Sequence, residues 1–408
     1  MGSYIKYMNR SFALLVLLSA SCAGEYAGSS EDNHRLREIL DLASKGPAKD
    51  LRRRMEEITH EIGDAELRSK TMGEIGALVD ASAMHQRIIN LERDIVALGG
   101  VISLEPGGPA WMQAAAGDQA MHVFDRLVVL GLNDKTNPHF KGYKLNTKVD
   151  DSWLERVAGL PDLRSLDVAN ADVRGPGLRH VGTLRTLESV NLTLTPISDD
   201  ALAALSGLAD LKVLGLASTK ITGTGLEWLR ELRKLENLNC HSTPVNDAGL
   251  EQIGKLSSLK RLEIVHTQFT DAGTRALSGL VNLERLQLGS RRATGAGLSF
   301  LRDLTKLREL DVHDGLLTPE GFRHVGTVKS LRVFRAYGGS AGNEGLAALA
   351  GLSELETLIL EGIGVTDAGL ETLATLTHLR KLVLHEPKVT DAAVARLHAA
   401  TPALEIAR

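Results

Sequence analysis

Leu208-Ala-Asp-Leu-Lys-Val-Leu-Gly-Leu-Ala-Ser-Thr-Lys-Ile-Thr-Gly-Thr-Gly-Leu226 returns further along the chain as Leu352-Ser-Glu-Leu-Glu-Thr-Leu-Ile-Leu-Glu-Gly-Ile-Gly-Val-Thr-Asp-Ala-Gly-Leu370. Ten consecutive segments of 24 residues, with no insertion between them, run from Leu160 to about Ala399. Apolar residues recur at positions 1, 4, 7, 9, 14, 19 and 22 of the unit. A fixed period of this length is the signature of a stacked solenoid, in which each repeat touches only its neighbours. Positions 7 and 9 alternate with polar positions 6, 8 and 10, the period of a short half-buried strand. Thr or Ser mostly holds position 15, as in Thr318-Pro-Glu-Gly-Phe322, where Thr can cap a helix that begins with Pro. Asp199, Asp247, Asp271, Asp367 and Asp391 follow at position 16 and place negative charge at the positive end of that helix. Each unit is therefore predicted as strand, turn and short helix. A single unit buries too few aliphatic side chains to offset the entropy of ordering its backbone, so the units must stack. Their strands then make a parallel sheet on one face, with helices on the other.

The pattern L-x-x-L-x-x-L-x-L followed by T-x-[I/V]-[T/S]-D-x-G-L resembles leucine-rich repeats. The resemblance is to the cysteine-containing, ribonuclease-inhibitor-like type, with similar arrays in secreted or lipoprotein-type bacterial members. It covers about 60% of the chain. It implies an α/β leucine-rich repeat solenoid with a curved parallel sheet on the concave face and short helices on the convex face, binding protein ligands on the concave sheet. It implies no reaction. The chain departs from the family at position 12, where Asn or Cys is usual: Thr195, Thr219, Thr243 and Thr267 hold it, then Arg291, Gly315, Gly339, Ile363 and Pro387. A buried polar ladder along that turn is expected in the first half of the array alone.

Composition excludes several functions. Aromatics make up 4% of the 408 residues, so the core is built from Leu, Val, Ile and Ala. A net charge of −4 and a pI near 6.4 provide no basic footprint for nucleic acid. Two cysteines, Cys22 and Cys240, form no disulfide framework.

At the N-terminus, Lys6 and Arg10 precede the apolar run Phe12–Leu18, then Ser19-Ala-Ser21 and Cys22. This is the layout of a signal peptide, and the run is too short for a permanent span. Cys22 after small residues resembles a bacterial lipoprotein cleavage site, although Ser19 stands where that pattern prefers an aliphatic residue. The expectation is export and lipidation at Cys22, with ordinary cleavage near Ser21–Gly24 as the alternative.

Residues 1–22 are thus read as signal peptide and 23–98 as tether and helical segment. Residues 99–159 are read as an N-terminal capping region with an irregular repeat, and 160–408 as the ten repeats and C-terminal cap. In the helical segment Leu51, Met55, Ile58 and Ile62 share one face, and Asp64 and Ser82 are candidate caps of two further helices. The irregular repeat accommodates about a dozen extra residues around Asn133–Lys144, and an inserted loop such as Pro138–Tyr143 is a place where function often sits.

Candidate chemistry is sparse. Cys240 falls at core position 9 and reads as a small hydrophobe. Gly338-Gly-Ser340-Ala-Gly342 matches a hydrolase motif in letters, but it lies at a strand-to-helix turn with no hydrolase sheet around it. His241, His313 and His385 share position 10, with His266 at position 11. Strand spacing keeps His241 and His313 roughly 14 Å apart, so they share no ion, and no metal site is expected.

Position 8 runs Asp167, Asn191, Gly215, Asn239, Glu263, Gln287, Asp311, Arg335, Ile359, Val383, polar through the middle and apolar at the end. Aromatic and Arg side chains make favoured interface anchors, which selects Asp311, His313, Arg335, Tyr337 and Ile359 as the candidate ligand-binding patch.

The expectation is a non-enzymatic protein–protein interaction scaffold, exported to the cell envelope and held peripherally at a membrane by lipid. A soluble periplasmic or extracellular form is the alternative location. It would have an unknown protein partner, no nucleic acid, no cofactor and no small-molecule substrate. A cytoplasmic F-box-like adaptor and an envelope glycan-binding or structural protein are the rival functions. The export segment argues against the first, and the scarcity of sheet-face aromatics beyond Tyr337 against the second.

Overall fold

The computed structural model describes residues 29–46, 49–109, 112, 121–122, 125–132, 146–386 and 388–408. The signal peptide, Cys22 and the Pro138–Tyr143 loop lie outside the described residues. The chain divides into two compact units, one of residues 1–140 with 160–166, the other of 141–159 with 167–408.

Among the described residues the first unit carries three α-helices, α1 (Ser30–Ser44), α2 (Leu51–His60) and α3 (Ala65–Ala97). Leu36, Ile39, Leu40, Leu51, Met55, Ile62, Leu67, Ile75 and Leu78 interleave between them as one buried cluster. Ser29 caps α1 by accepting the Asp32 amide. Asp32 in turn accepts the Gly63 amide at 2.6 Å, tying the start of α1 to the bend before α3. Gly63, with Ser29 helping, holds the Asp32 carboxyl below its usual range. Asp64 caps α3 through the Leu67 amide.

Ser82 is not a cap: it lies in the middle of α3, buried, and donates to the Ala43 carbonyl at 2.6 Å. The Ala-Ser-Ala sequence around it does not break a helix, and the hydroxyl adds a bond from a second element to a carbonyl at the end of α1 that also accepts the Gly46 amide at 3.2 Å. Gly99, at φ +78, closes α3. Strand β1 (Val101–Glu105) then pairs antiparallel with β2 (Arg126–Gly131), with a bulge at Ser103/Leu104.

The later strands are β3 (Asn146–Asp150), β4 (Ser165–Asp167), β5 (Ala171–Asp172), β6 (Ser189–Asn191), β7 (Val213–Gly215), β8 (Asn237–Asn239) and β9 (Arg261–Thr267). They continue with β10 (Arg285–Ser290), β11 (Glu309–His313), β12 (Val333–Tyr337), β13 (Thr357–Glu361), β14 (Lys381–His385) and β15 (Glu405–Ala407). In the second unit, strands β6 to β15 lie in chain order, each parallel to the next. From β6 to β14 the partners stand one repeat apart, as in Asp311↔Arg335↔Ile359, with one slip where Ser290 meets Thr267. Short α- and 3-10 segments such as Asp247–Ile253 and Pro319–Val325 return the chain between strands. The periodic apolar positions are buried in all but the last repeat, where Val394 is half-buried; Leu211, Leu214, Leu216, Ile221, Leu226 and Leu229 show the pattern in one repeat. This is the α/β solenoid that the spacing predicts.

The position-16 acids do more than face a helix dipole. Asp247 reaches into the next repeat and accepts both the Thr270 amide and its hydroxyl at 2.7 Å. Asp271 does the same with Thr294, Asp367 with Thr390, and Asp199 with Thr222. Asp199 also accepts the amides of Gly223 and Gly225. The glycine of D-x-G-L follows from this clasp: a Cβ on Gly273 would collide with the Asp247 carboxylate of the preceding repeat.

At position 12, Thr195, Thr219, Thr243 and Thr267 are buried and donate to the carbonyls of Leu192, Leu216, Cys240 and Ile264. The residue before each is left-handed: Leu194, Ser218, Ser242 and His266 have φ between 55 and 62°. In the repeats that follow, no non-glycine residue takes that conformation among the described residues.

Candidate functional site

The five residues of the predicted patch stand on three adjacent strands. Asp311, Arg335 and Ile359 are register partners on β11, β12 and β13, and His313 pairs with Tyr337 one pleat further on. They make one contiguous area of the sheet face.

Within it, Asp311 is buried at 5% exposure. One of its oxygens accepts Arg335 Nη1 at 2.7 Å, and the other accepts Gln287 Nε2 at 2.7 Å. Arg285 stands 3.9 Å from the same carboxylate and 3.6 Å from Glu309, which lies 3.8 Å from Arg335. Asp311 therefore holds Arg335 in place, and the guanidinium is the group it presents. Burial works against the Arg335 charge, but the bond to Asp311, with Glu309 nearby, outweighs it and raises Arg335 above its usual range. Tyr337 is pushed up mainly by burial, so its phenol stays protonated.

The ring of Tyr337 stacks on His313, centroids 4.6 Å apart and planes 19° from parallel. His313 meets His266 at 6.2 Å, and His266 meets His241 at 5.2 Å, both edge to face. The strand-spacing estimate places His241 and His313 apart, but it leaves out His266 as the ring between them. Gly289 explains the bridge: it occupies the register position beside His313 without a side chain, and a Cβ there would come within 2.7 Å of the His313 Cβ. Burial and the neighbouring His266 hold His241 below the usual imidazole range, with Glu263 opposing them. Beyond Tyr337, Glu361 lies 3.6 Å from His385. No cluster of His, Cys, Asp or Glu suited to a metal ion occurs among the described residues.

Sequence reasoning named His266 and Gln287 without placing them in the patch, and it passed over Arg285 and Glu309. The signal was present for the last two, since opposite charges one repeat apart at position 6 must face each other in a parallel sheet.

The other candidates resolve plainly. Cys240 is fully buried, and burial, with a contribution from Asp199, pushes its thiol up to about 12, which removes the reactive thiolate. Ser340 sits in a turn whose Gly338, Gly339 and Gly342 all have positive φ.

A model of the leucine-rich repeat region matches residues 145–401, more than half of the chain. The chain belongs to the leucine-rich repeat family. Leucine-rich repeat proteins act in general as protein–protein interaction scaffolds. Comparison with curated protein sequences gives no match. Among solved structures, an internalin from Listeria monocytogenes is 20% identical over 62% of this chain and 76% of its own, with a TM-score of 0.47. A leucine-rich repeat protein from Leptospira interrogans is 16% identical over 62% and 74%, with a TM-score of 0.41. A plant peptide hormone receptor in complex with RGF2 is 17% identical over 57% of this chain and 36% of its own, with a TM-score of 0.33.

Proposed function

We propose that this leucine-rich repeat protein is a non-enzymatic scaffold, exported and lipid-anchored through Cys22, that binds a protein partner on the sheet face around β11–β13. The observation that carries the reading is the pre-set anchor pair. Arg335 is fixed by Asp311, and Tyr337 is stacked on His313, with the apolar Ile359 beside them. Arg and aromatic side chains whose rotamers are already restrained lose little entropy on binding, the property of interface hot spots. Several other charged groups along the sheet are matched in cross-strand pairs, such as Lys212–Glu188 and Lys260–Glu236, and contribute little to recognition. Export and anchoring rest on the order of charged, apolar and small residues before Cys22.

Cross-linking in the native host followed by pull-down tests the face. Arg335→Glu with Tyr337→Ala should abolish capture of the partner while the circular dichroism spectrum is unchanged; undiminished capture would put the binding face elsewhere. Mass spectrometry of the mature N-terminus tests the anchor. An unmodified Cys22, with Cys22→Ala still at the membrane, rules the lipid out.

A further inference from the structure

We infer that Arg261 and Arg285, side by side on β9 and β10, hold the carboxylates of an extended acidic segment of the protein partner. The inference rests on the interaction-face reading above and gives the partner its chemistry. The two arginines are register partners on adjacent parallel strands, so their stems leave the same face about 4.8 Å apart. Like charges set directly opposite one another cost stability. Elsewhere the same sheet sets opposite charges one repeat apart, as in Glu188–Lys212, Glu236–Lys260 and Arg332–Glu356. Here it sets two cations together.

The acids around the pair are engaged by other groups. Glu236 accepts from Lys260 at 2.8 Å, and Glu284 acts on the same lysine. Glu263, two residues beyond Arg261, acts on His241. Asp311 is bonded by Gln287 and Arg335 and stands 3.9 Å from Arg285. Glu309 is shared, 3.6 Å from Arg285 and 3.8 Å from Arg335. Both approaches to Arg285 are too long for hydrogen bonds. Its Nε is buried and has no acceptor. Among the described residues neither guanidinium of the pair donates a hydrogen bond, and Arg261, which is exposed, has no ion pair.

Each guanidinium carries five N–H donors in a fixed fork. A carboxylate accepts two of them in parallel, which supplies the bonds the sheet leaves unmade and screens the two cations from each other. Glu263 along β9 and Glu309 beside Arg285 on β11 border the pair. Their repulsion falls more heavily on a doubly charged phosphate than on a carboxylate. From Arg285 the face runs across three strands to Ile359, about 14 Å, or roughly four residues of extended chain. The segment thus places an acidic side chain on the arginine pair and an apolar one beside Tyr337 and Ile359.

The probe is a fluorescein-labelled peptide of repeated Glu-Thr-Ser-Thr-Leu, measured by anisotropy on the full-length protein. Its counterparts carry Gln or phosphoserine in place of Glu. At about 0.01 M salt the Glu peptide should bind about 10-fold or more tighter than the Gln peptide, and at about 0.15 M the gap should narrow. Arg261→Gln should weaken the Glu peptide about 5-fold, and Arg261→Gln/Arg285→Gln should bring it to the level of the Gln peptide. Arg302→Gln/Arg323→Gln removes the same charge from exposed helical positions and should leave binding unchanged. Arg261→Gln alone, at an exposed position, keeps the test intact if the double variant misfolds. The inference is overturned by equal binding of the Glu and Gln peptides, by no binding, or by tighter binding of the phosphoserine peptide. It is overturned equally by Glu-specific binding that survives Arg261→Gln/Arg285→Gln, or by the same loss in Arg302→Gln/Arg323→Gln. If the peptide fails but Arg335→Glu with Tyr337→Ala still abolishes partner capture, the interaction face stands and the arginine pair falls. If both fail, so does the face.

Discussion

The early repeats and the late repeats share one apolar frame but use their sheet faces differently. From β6 to β8 the strands are three residues long; from β11 to β14 they are five. In the early repeats the position-8 side chain folds back on its own chain: Asp167 accepts the Ala169 amide, Asn191 that of Thr193, and Asn239 that of His241. In the late repeats the strand continues through position 10, and position-8 side chains bond sideways instead, as Gln287, Asp311 and Arg335 do. An Asn or Asp oxygen held by its own backbone restrains the side chain's rotamer, so it is less free to reach across to the next strand. The early repeats, with a left-handed residue and a buried Thr in their turns, thus keep these oxygens local, and the late face carries the lateral bonds.

The sharpest way to break this contrast is to remove the lateral network. Arg335→Ala leaves the Asp311 carboxylate buried with Gln287 as its remaining hydrogen-bond donor and should cost about 2–3 kcal/mol in urea denaturation. Asn191→Ala, which loses a bond to its own backbone, should cost about 1 kcal/mol. Equal losses would mean that the two faces are held alike.

Asp199→Ala removes a clasp between repeats and should cost about 2 kcal/mol. Burial pushes Asp199 up, but bonds from Thr222, Gly225 and Gly223 outweigh it and leave the carboxyl below its usual range. Its stabilisation is therefore present above the unfolded carboxylate pKa and is lost as pH falls through the lower folded one. Asp199→Asn should flatten the acid limb of a stability–pH curve there, and an unchanged limb would contradict the clasp.

Thr243→Val should cost about 1 kcal/mol, because the Cys240 carbonyl loses its buried donor. Smallest of all, Leu194→Gly should change thermal stability by less than about 1 kcal/mol: relief of left-handed strain at φ 62° opposes the entropy of glycine. A large loss there would show that the Leu194 side chain, not its backbone, sets the early turn.

Much of this was legible in the residues. The core positions, the parallel sheet and the buried status of Cys240 all follow from a period that never slips. Ser82 was misread because a serine among alanines signals a cap in isolation, whereas its hydroxyl is satisfied by a carbonyl 39 residues away. His266 was noted beside the histidine row but left out of the spacing argument, which compared His241 with His313 alone. Reach depends on the left-handed backbone at 266 and on the missing side chain at Gly289, and a strand-spacing argument contains neither.

By itself, then, the sequence determined the repeat, its register and which side chains line the core, since burial of aliphatic positions at fixed spacing admits one stacking. Only the tertiary structure decided the pairing of polar groups: Asp247 with Thr270, Asp311 with Arg335, His266 between His241 and His313. Hydrogen bonds and ring contacts are directional and reach only a few ångströms, so they depend on backbone turns and vacant positions that a hydrophobic period does not encode.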